Sequence, residues 1–301
     1  MLRLIAPAKL NLFLHINYRR PDGYHELQTL FQLLDYGDEL QFEDWQEHTG
    51  GSPFQLTSQL ADLRNADNLI SKAADSLVEY ARQHHLAQRL IPIKITLTKH
   101  LPTGGGVGGG SSDAATTLLA LNQLWRLELS SQQLAAIGVR LGADIPVFTG
   151  GQTAYAEGIG ERLQTLNMPE LWYVVIRPDC QVSTAEVFSH KELTRDTPKS
   201  RIATALGGDL GLLALGQTDV TNDCKSIVCR LYPAIQEAMG WLNQFSPARL
   251  TGTGACIFAC FTDKERANHV FSQLPANYQG FVAKGINQSP TTVALRSHNQ
   301  T

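Results

Sequence analysis

The glycine run at residues 104–110 constrains this chain more than any other feature of its sequence. Six of its seven residues are glycine, and Val107 is the exception. Ordering a glycine costs more backbone entropy than ordering any other residue, so folds rarely gather six together without a use. A loop whose backbone N–H groups must approach an anion has such a use, because a Cβ would block the approach. A flexible linker is the alternative interpretation, but the flanking sequence has regular strand and helix patterns.

The flanks of the run predict a strand before it and a helix after it. Residues 91–99 alternate between apolar and polar side chains, which indicates a strand with one solvated face. Residues 112–127 are rich in Ala and Leu and predict a helix. The run would therefore lead into a helix N-terminus, where free N–H groups favour phosphate. Ser111 and Ser112 add hydroxyl groups that could contact phosphate or Mg²⁺.

Two common phosphate loops fit poorly. The P-loop requires a Lys after its last glycine, but Ser111 follows Gly110 here. The dinucleotide pattern matches formally at Gly104, Gly106 and Gly109, yet any glycine-rich run can satisfy it by chance. That pattern should also follow a fully buried parallel strand directly, and residues 91–99 do not have that character.

The remaining pattern predicts an α+β protein. Strands are predicted at 2–6, 10–18, 27–35, 38–44, 171–177, 255–262 and 290–296, and helices at 68–83 (capped by Asn68), 130–141, 222–244 and 264–273. With 301 residues and 43% hydrophobic content, the chain is long enough for two domains. A junction is expected near residues 148–158.

Composition argues against several classes of partner. The 25 basic and 28 acidic side chains give a net charge of -3, which does not favour a nucleic acid or an acidic membrane. No stretch approaches the roughly 20 apolar residues that span a bilayer, and the first residues do not read as a signal peptide. A cytoplasmic protein is expected. The five cysteines have neither disulfide nor zinc spacing and are interpreted as reduced thiols.

Three sequence blocks, at residues 7–14, 101–115 and 249–256, occur in an order that resembles the GHMP kinase superfamily of galactose, homoserine, mevalonate and phosphomevalonate kinases. Further blocks at 22–29, 141–148 and 280–285 resemble the branch that phosphorylates a cytidine-diphospho alcohol. The resemblance covers nearly the whole chain. Two departures are Val107, where the family usually has Leu or Met, and Asp113, where Asn or Ser is common.

The resemblance implies a two-domain GHMP kinase fold. An N-terminal domain like domain 2 of ribosomal protein S5 would span residues 1–153 and bind ATP. A ferredoxin-like C-terminal domain would span 154–301, on the substrate side of a cleft. ATP is implied as co-substrate and Mg²⁺ is expected with it, while the ligands of Mg²⁺ and the oligomeric state stay open. The implied ATP-binding residues are Pro102, Thr103, Gly104, Gly105, Gly106, Val107, Gly108, Gly109, Gly110, Ser111 and Ser112, with Lys99 and Asn68 near the adenine or ribose.

The resemblance also implies two catalytic residues. Asp144 would abstract the proton of the substrate hydroxyl or orient that hydroxyl, and Lys9 would pair with Asp144 and polarise the hydroxyl. Without the resemblance, Asp144 would read as a turn former and Lys9 as a strand lysine with a solvated head. Pro146 is predicted to hold Ile145 out of a helix. We expect Lys9 and Asp144 to meet, with Asn11 on the same face of the strand.

The implied substrate pocket recognises cytosine. Tyr24 would stack on the base, Phe188 would cover its other face and His25 would bind its polar edge. Thr184, one helical turn before Phe188, and Asn11 complete the set. A surface turn for Tyr24 and a core position for Phe188 are the alternatives.

Three rival functions remain open from the sequence. The first is a sister kinase acting on mevalonate, homoserine or a sugar, which residues 22–25 disfavour. The second is a nucleotide-binding protein of the same fold without catalysis, which the presence of both Lys9 and Asp144 disfavours. The third is a dinucleotide-dependent dehydrogenase.

Overall fold

The structure is a computed structural model that describes residues 1–59, 68–199 and 210–298. Within those ranges the strands are β1 (Leu2–Arg19), β2 (His25–Asp44), β3 (Phe54–Ser58), β4 (Ile93–Thr98), β5 (Ala154–Gly158), β6 (Arg162–Thr165), β7 (Trp172–Pro178), β8 (Arg249–Leu250), β9 (Ile257–Phe261) and β10 (Tyr278–Ile286). The α-helices are α1 (Leu69–Gln83), α2 (Gly109–Leu124), α3 (Ser131–Gly138), α4 (Ile145–Gly150), α5 (Thr184–Ser189), α6 (Leu210–Ala214), α7 (Lys225–Leu231), α8 (Pro233–Leu242), α9 (Lys264–Phe271) and α10 (Pro290–His298). Strands and helices mix in both halves, so the predicted α+β class is confirmed.

The first sheet is organised by the long strand β2. It pairs antiparallel with β1, β4 and β5, while β3 pairs parallel with the far side of β4. Helices α1 and α2 pack over one face, so the apolar side chains of β4 are buried and its polar ones only half-buried. The predicted alternation of this strand is therefore confirmed, although it begins at Ile93 rather than at residue 91.

The second sheet is antiparallel and has the order β10–β7–β9–β8. It continues into the first sheet because Gly285 and Ile286 at the end of β10 pair with Leu34 and Leu33 of β2. Strands β5 and β6 extend the first sheet, since β5 pairs with β2 and β6 pairs with β5. The proposed division into residues 1–153 and 154–301 stays a prediction.

A bulge in β1 prepares the site. The register between β1 and β2 shifts between Pro7 and Lys9, where Gly37 faces the bulged strand. A Cβ at Gly37 would lie 2.0 Å from the carbonyl oxygen of Ala6, so only glycine permits this approach. Bulges redirect side chains, and this one lies at Lys9.

The structure corrects several sequence predictions. Residues 290–296, predicted as a strand, lie in helix α10, because the β-branched Thr291, Thr292 and Val293 misled a local interpretation. The single helix predicted at 222–244 is two helices, because Pro233 starts a second one. Ile145 begins α4 rather than lying outside a helix, since proline is tolerated in the first turn. Strands β3, β5, β6, β8 and β10 were not predicted.

Candidate active site

The glycine run forms an ordered loop held by both halves of the protein. The backbone N–H of Lys9 donates to the carbonyl oxygen of Val107 at 2.9 Å, and that of Cys256 donates to Gly105 at 3.0 Å. Gly106 has a φ of +73°, and a Cβ there would lie 2.4 Å from the carbonyl oxygen of Thr251. The loop therefore passes directly against residues 251–254, which leaves no room for a side chain.

The loop ends in a helix N-terminus without a side-chain cap. Helix α2 begins at Gly109, three residues before the predicted start, and its cap residue Gly108 has a φ of +75°. Gly108 has no side chain that could accept a hydrogen bond from the first turn. The first N–H groups of a helix have no partner within the helix, so they are free for an anion.

A cavity of about 520 Å³ lies over this loop. Of the predicted ATP-binding residues, it is lined by Asn68, Lys99, Pro102, Thr103, Gly104, Gly105, Gly106, Gly108, Gly109, Gly110 and Ser111. Val107 and Ser112 are buried beneath the loop and do not line it. Asn68 also caps α1 as predicted, because its Oδ1 accepts a hydrogen bond from the backbone N–H of Ile70.

Lys9 and Asp144 meet, as predicted from the sequence. The Nζ of Lys9 lies 3.1 Å from Oδ2 of Asp144 and donates to Oδ1 of Asn11 at 2.6 Å. Lys9 is only 2% exposed, so its ammonium is held by these partners and by the face of Phe31. Asp144 is the N-cap residue of α4 by position, yet its carboxylate does not cap the helix. That carboxylate is thereby left to face the cavities.

A second cavity, also of about 520 Å³, contains the predicted substrate residues Asn11, Tyr24, His25, Thr184 and Phe188. The rings of His25 and Phe188 are 5.0 Å apart, while Tyr24 is 59% exposed beside them. The Oγ1 of Thr184 lies 2.9 Å from that of Thr253, which joins α5 to the loop at residues 251–254.

The two cavities share three residues: Gly106, Ser111 and Asp144. Lys9 lines the second cavity at the same place. A ligand in each cavity would therefore meet beside the Lys9–Asp144 pair. Such an arrangement suits the transfer of a group from one bound molecule to the other.

Sequence reasoning missed a buried charge cluster under the glycine loop. Lys99 donates to Oδ2 of Asp38 and, at 3.0 Å, to Oδ2 of Asp113. Oδ1 of Asp38 also accepts from the backbone N–H groups of His100 and Leu101. The cluster thus connects β2 to the strand–loop junction and to the second turn of α2. Asp38 gave no local signal, but the unusual Asp113 in the helix start could have drawn attention to it.

The cluster contains two carboxyl groups and one ammonium. Burial raises the pKa of Asp113 to about 8, and Lys99 opposes this effect only in part. Although burial lowers the pKa of Lys99, Asp113 and Asp38 raise it overall. Asp38 accepts hydrogen bonds from two backbone N–H groups and forms the ion pair with the Lys99 ammonium. Asp113, whose Oδ1 has no hydrogen-bond partner in the part of the chain that the structure describes, then carries a proton near neutral pH.

Asn222 is a second residue that sequence reasoning missed. Its Nδ2 donates to the carbonyl oxygens of Leu250 and Gly252 at 3.0 and 2.8 Å. Thr251 in the same loop donates to the carbonyl oxygen of Gly106 at 3.2 Å. Asn222 therefore helps to hold the loop at residues 251–254, whose Gly252 and Thr253 line the second cavity. Its partners are 28 and 30 residues away, so no local pattern could have identified it.

Two further features concern metals and membranes. Across the described ranges, no three His, Cys, Asp or Glu side chains gather closely enough to hold a metal ion. In the same ranges, no helix combines the length and the apolar character needed to cross a bilayer.

Comparisons with known proteins define the class. Residues 68–152 match the model of the GHMP kinases N terminal domain, and residues 207–280 match that of the GHMP kinases C terminal domain. The chain therefore belongs to the GHMP kinase family. Membership of this family implies ATP as the co-substrate.

Full-length relatives narrow the class further. A 4-diphosphocytidyl-2-C-methyl-D-erythritol kinase of Hahella chejuensis is 56% identical over 98% of this chain and 97% of its own length. A kinase of the same name from Shewanella loihica is 51% identical over 97% and 96%. A crystal structure of 4-(cytidine 5'-diphospho)-2C-methyl-D-erythritol kinase has a TM-score of 0.76 and 31% identity, and covers 95% of this chain and 100% of its own. Within the GHMP kinases, the chain groups with these enzymes.

Proposed function

We propose that this protein transfers the γ-phosphate of ATP to the 2-hydroxyl of 4-diphosphocytidyl-2-C-methyl-D-erythritol, a step of the non-mevalonate isoprenoid pathway. Relatives of that name at 51–56% identity support the substrate. The observation that carries the proposal is the meeting of two cavities at Asp144, with Lys9 at 3.1 Å.

The nucleotide would occupy the cavity over the glycine loop. The free N–H groups at the start of α2 would bind the β- and γ-phosphates, and the glycines would let the backbone approach them. Asn68 and Lys99 also line that cavity, and the adenosine would lie beside them. Mg²⁺ would supply charge neutralisation when bound with ATP, and the hydroxyl group of Ser111 at the junction is an oxygen ligand that fits it.

The alcohol would occupy the other cavity. Its cytosine would lie between Tyr24 and Phe188, with His25 at the polar edge of the base. The erythritol end would then reach the junction, where Asn11 and Thr184 also line the wall. This orientation places the hydroxyl beside Asp144.

In the reaction, the hydroxyl oxygen would form a bond to the γ-phosphorus while the bond from that phosphorus to the β–γ bridging oxygen breaks. Asp144 would take the hydroxyl proton, and Lys9 would hold Asp144 in place and polarise the hydroxyl. Asn11 would fix the Lys9 ammonium through the 2.6 Å hydrogen bond. The products are ADP and the 2-phosphorylated alcohol.

Substrate profiling tests this function. ADP release from ATP is measured with the cytidine-diphospho alcohol, mevalonate, homoserine and galactose as acceptors. We expect turnover with the cytidine substrate alone. Turnover with another acceptor would be compatible with a GHMP kinase but would contradict the proposed cytosine pocket. No ADP release with any acceptor would favour a non-catalytic nucleotide-binding protein.

The compartment is also a proposal. The cysteines Cys180, Cys224, Cys229, Cys256 and Cys260 are all free thiols, which suits the reducing cytoplasm. Fractionation of cells that express the tagged protein tests this location, and recovery from another compartment would contradict it.

A further inference from the structure

The ring of His25 is held by an arginine that sequence reasoning did not single out. His25 begins β2, is mostly buried and lines the proposed cytosine pocket beside Phe188. Arg195 lies in the segment after α5, and its Nε donates to Nε2 of His25 at 3.1 Å. The two residues are 170 positions apart, so the contact exists only in the folded chain.

Arg195 itself has a fixed orientation. One terminal nitrogen donates to the carbonyl oxygens of Phe188 and His190, each at 2.8 Å. The other donates to the carbonyl oxygen of Leu193 at 3.3 Å. These bonds leave Nε as the atom that faces His25. The same contacts tie Arg195 to the helix that carries Phe188.

This contact decides which nitrogen of His25 carries the proton. A guanidinium has only donors, so Nε2 of His25 must be the acceptor. Burial, Arg195 and Arg19 all lower the pKa of His25, so the ring is neutral near pH 7. A neutral imidazole with a bare Nε2 has its hydrogen on Nδ1. Among the described residues, the bond from Arg195 is the one hydrogen bond to the His25 ring, so Nδ1 is available to a ligand.

We propose that Arg195 is a positioning residue for substrate specificity: by binding Nε2 it makes His25 an Nδ1–H donor and so selects cytosine over uracil. The inference rests on the proposed function, because it concerns the base that this pocket binds. The N3 atom of cytosine is an acceptor and can receive the Nδ1–H bond. In uracil N3 carries a hydrogen, so two donors would face each other and neither would be satisfied.

Competing nucleotides test the proposal. The kcat/KM for ATP-dependent phosphorylation is measured with the cytidine-diphospho alcohol and with its uridine counterpart. The wild type is expected to prefer cytidine by at least about 100-fold, because a buried polar group without a partner rejects an analogue strongly. In Arg195→Met both tautomers of His25 become accessible, and the preference is expected to fall below about tenfold. The loss should appear mainly in KM, since the Lys9–Asp144 pair is untouched.

A matched control separates the hydrogen bond from the charge. Arg19 also lines this pocket and acts on His25 by its charge, but it forms no hydrogen bond with the ring among the described residues. Arg19→Met should therefore keep the cytidine preference, whatever it does to the turnover itself. The role of Arg195 would be overturned if Arg195→Met preferred cytidine as strongly as the wild type does. It would also be overturned if Arg19→Met lost as much of the cytidine preference as Arg195→Met.

Two further measurements, on His25→Phe and by NMR on the wild type, test the proposal even if Arg195→Met does not fold. In His25→Phe the ring shape is retained without a donor, so the preference should collapse, and an unchanged preference would overturn the proposal. Nitrogen NMR of the histidine-labelled wild type should show His25 with a bare Nε2 and a protonated Nδ1. A protonated Nε2 would contradict it. Absence of ADP release with either nucleotide would instead mark failure of the proposed function.

Discussion

Replacing Gly106 with alanine is expected to destabilise the protein and to weaken ATP binding together. Gly106 has a φ of +73°, a backbone conformation that costs a residue with a side chain about 1 kcal/mol or more. The new Cβ would lie 2.4 Å from the carbonyl oxygen of Thr251, and overpacking of this kind costs about 1–3 kcal/mol. The free energy of unfolding should therefore fall by about 2–4 kcal/mol.

The same substitution at Gly110 is the control. Gly110 lies inside α2, and its Cβ would come no closer than 3.6 Å to Leu69, an ordinary contact. Alanine favours a helix over glycine by up to about 1 kcal/mol, so Gly110→Ala should be as stable as the wild type or more so. Urea unfolding of both variants measures the difference.

Steady-state kinetics completes this prediction. Relief of the clash at position 106 requires the glycine loop and residues 251–254 to separate, which disturbs a loop that lines the nucleotide cavity. KM for ATP should therefore rise in Gly106→Ala. Equal unfolding midpoints for Gly106→Ala and Gly110→Ala would refute the claim that residues 251–254 press against the loop.

Three further predictions concern charge, stacking and loop support. Burial raises the pKa of Asp113 to about 8, above its value in the unfolded chain. The unfolded chain therefore loses this proton at a lower pH than the folded protein does, and the free energy of unfolding should fall as pH rises from about 4 to 8. Asp113 contributes at most about 1.4 kcal/mol per pH unit to the slope of the free energy of unfolding against pH. Thermal melts of Asp113→Asn at several pH values should show a smaller slope than the wild type. Phe188→Ala should raise KM for the cytidine substrate about 5- to 150-fold, which corresponds to the loss of one base–aromatic stack, with kcat little changed. An unaltered KM would indicate that Phe188 only packs in the protein core. Asn222→Ala leaves the carbonyl oxygens of Leu250 and Gly252 without their donor, and urea unfolding should show a loss of about 1–3 kcal/mol, whereas an unchanged midpoint would contradict its supporting role.

The ordered glycine loop could be predicted because its signal is local, whereas the Lys9–Asp144 contact could be predicted because of the family resemblance. The glycine run is contiguous, and the motifs around Lys9 and Asp144 are short enough to recognise one at a time. Their meeting at 3.1 Å follows from a family resemblance that covers nearly the whole chain. Local reasoning succeeded where a function is concentrated in a few neighbouring residues.

Other parts depend on tertiary pairing and could not be predicted from the sequence. Strand β10 contains Gly280, Lys284 and Gly285, which are poor strand formers, and pairing with β7 stabilises it. Helix α10 begins with two threonines and a valine, which favour strands in isolation. The contact of Arg195 with His25 joins distant segments, so only the fold reveals it.

The most direct test of the account is kcat for Asp144→Asn with saturating ATP and cytidine-diphospho alcohol. The amide keeps the size of the side chain but cannot take the hydroxyl proton, and loss of a general base costs about 100- to 10,000-fold. The account predicts a loss in that range, with KM for ATP within about threefold of the wild type. A kcat within about tenfold of the wild type would contradict proton transfer to Asp144 at the junction of the two cavities.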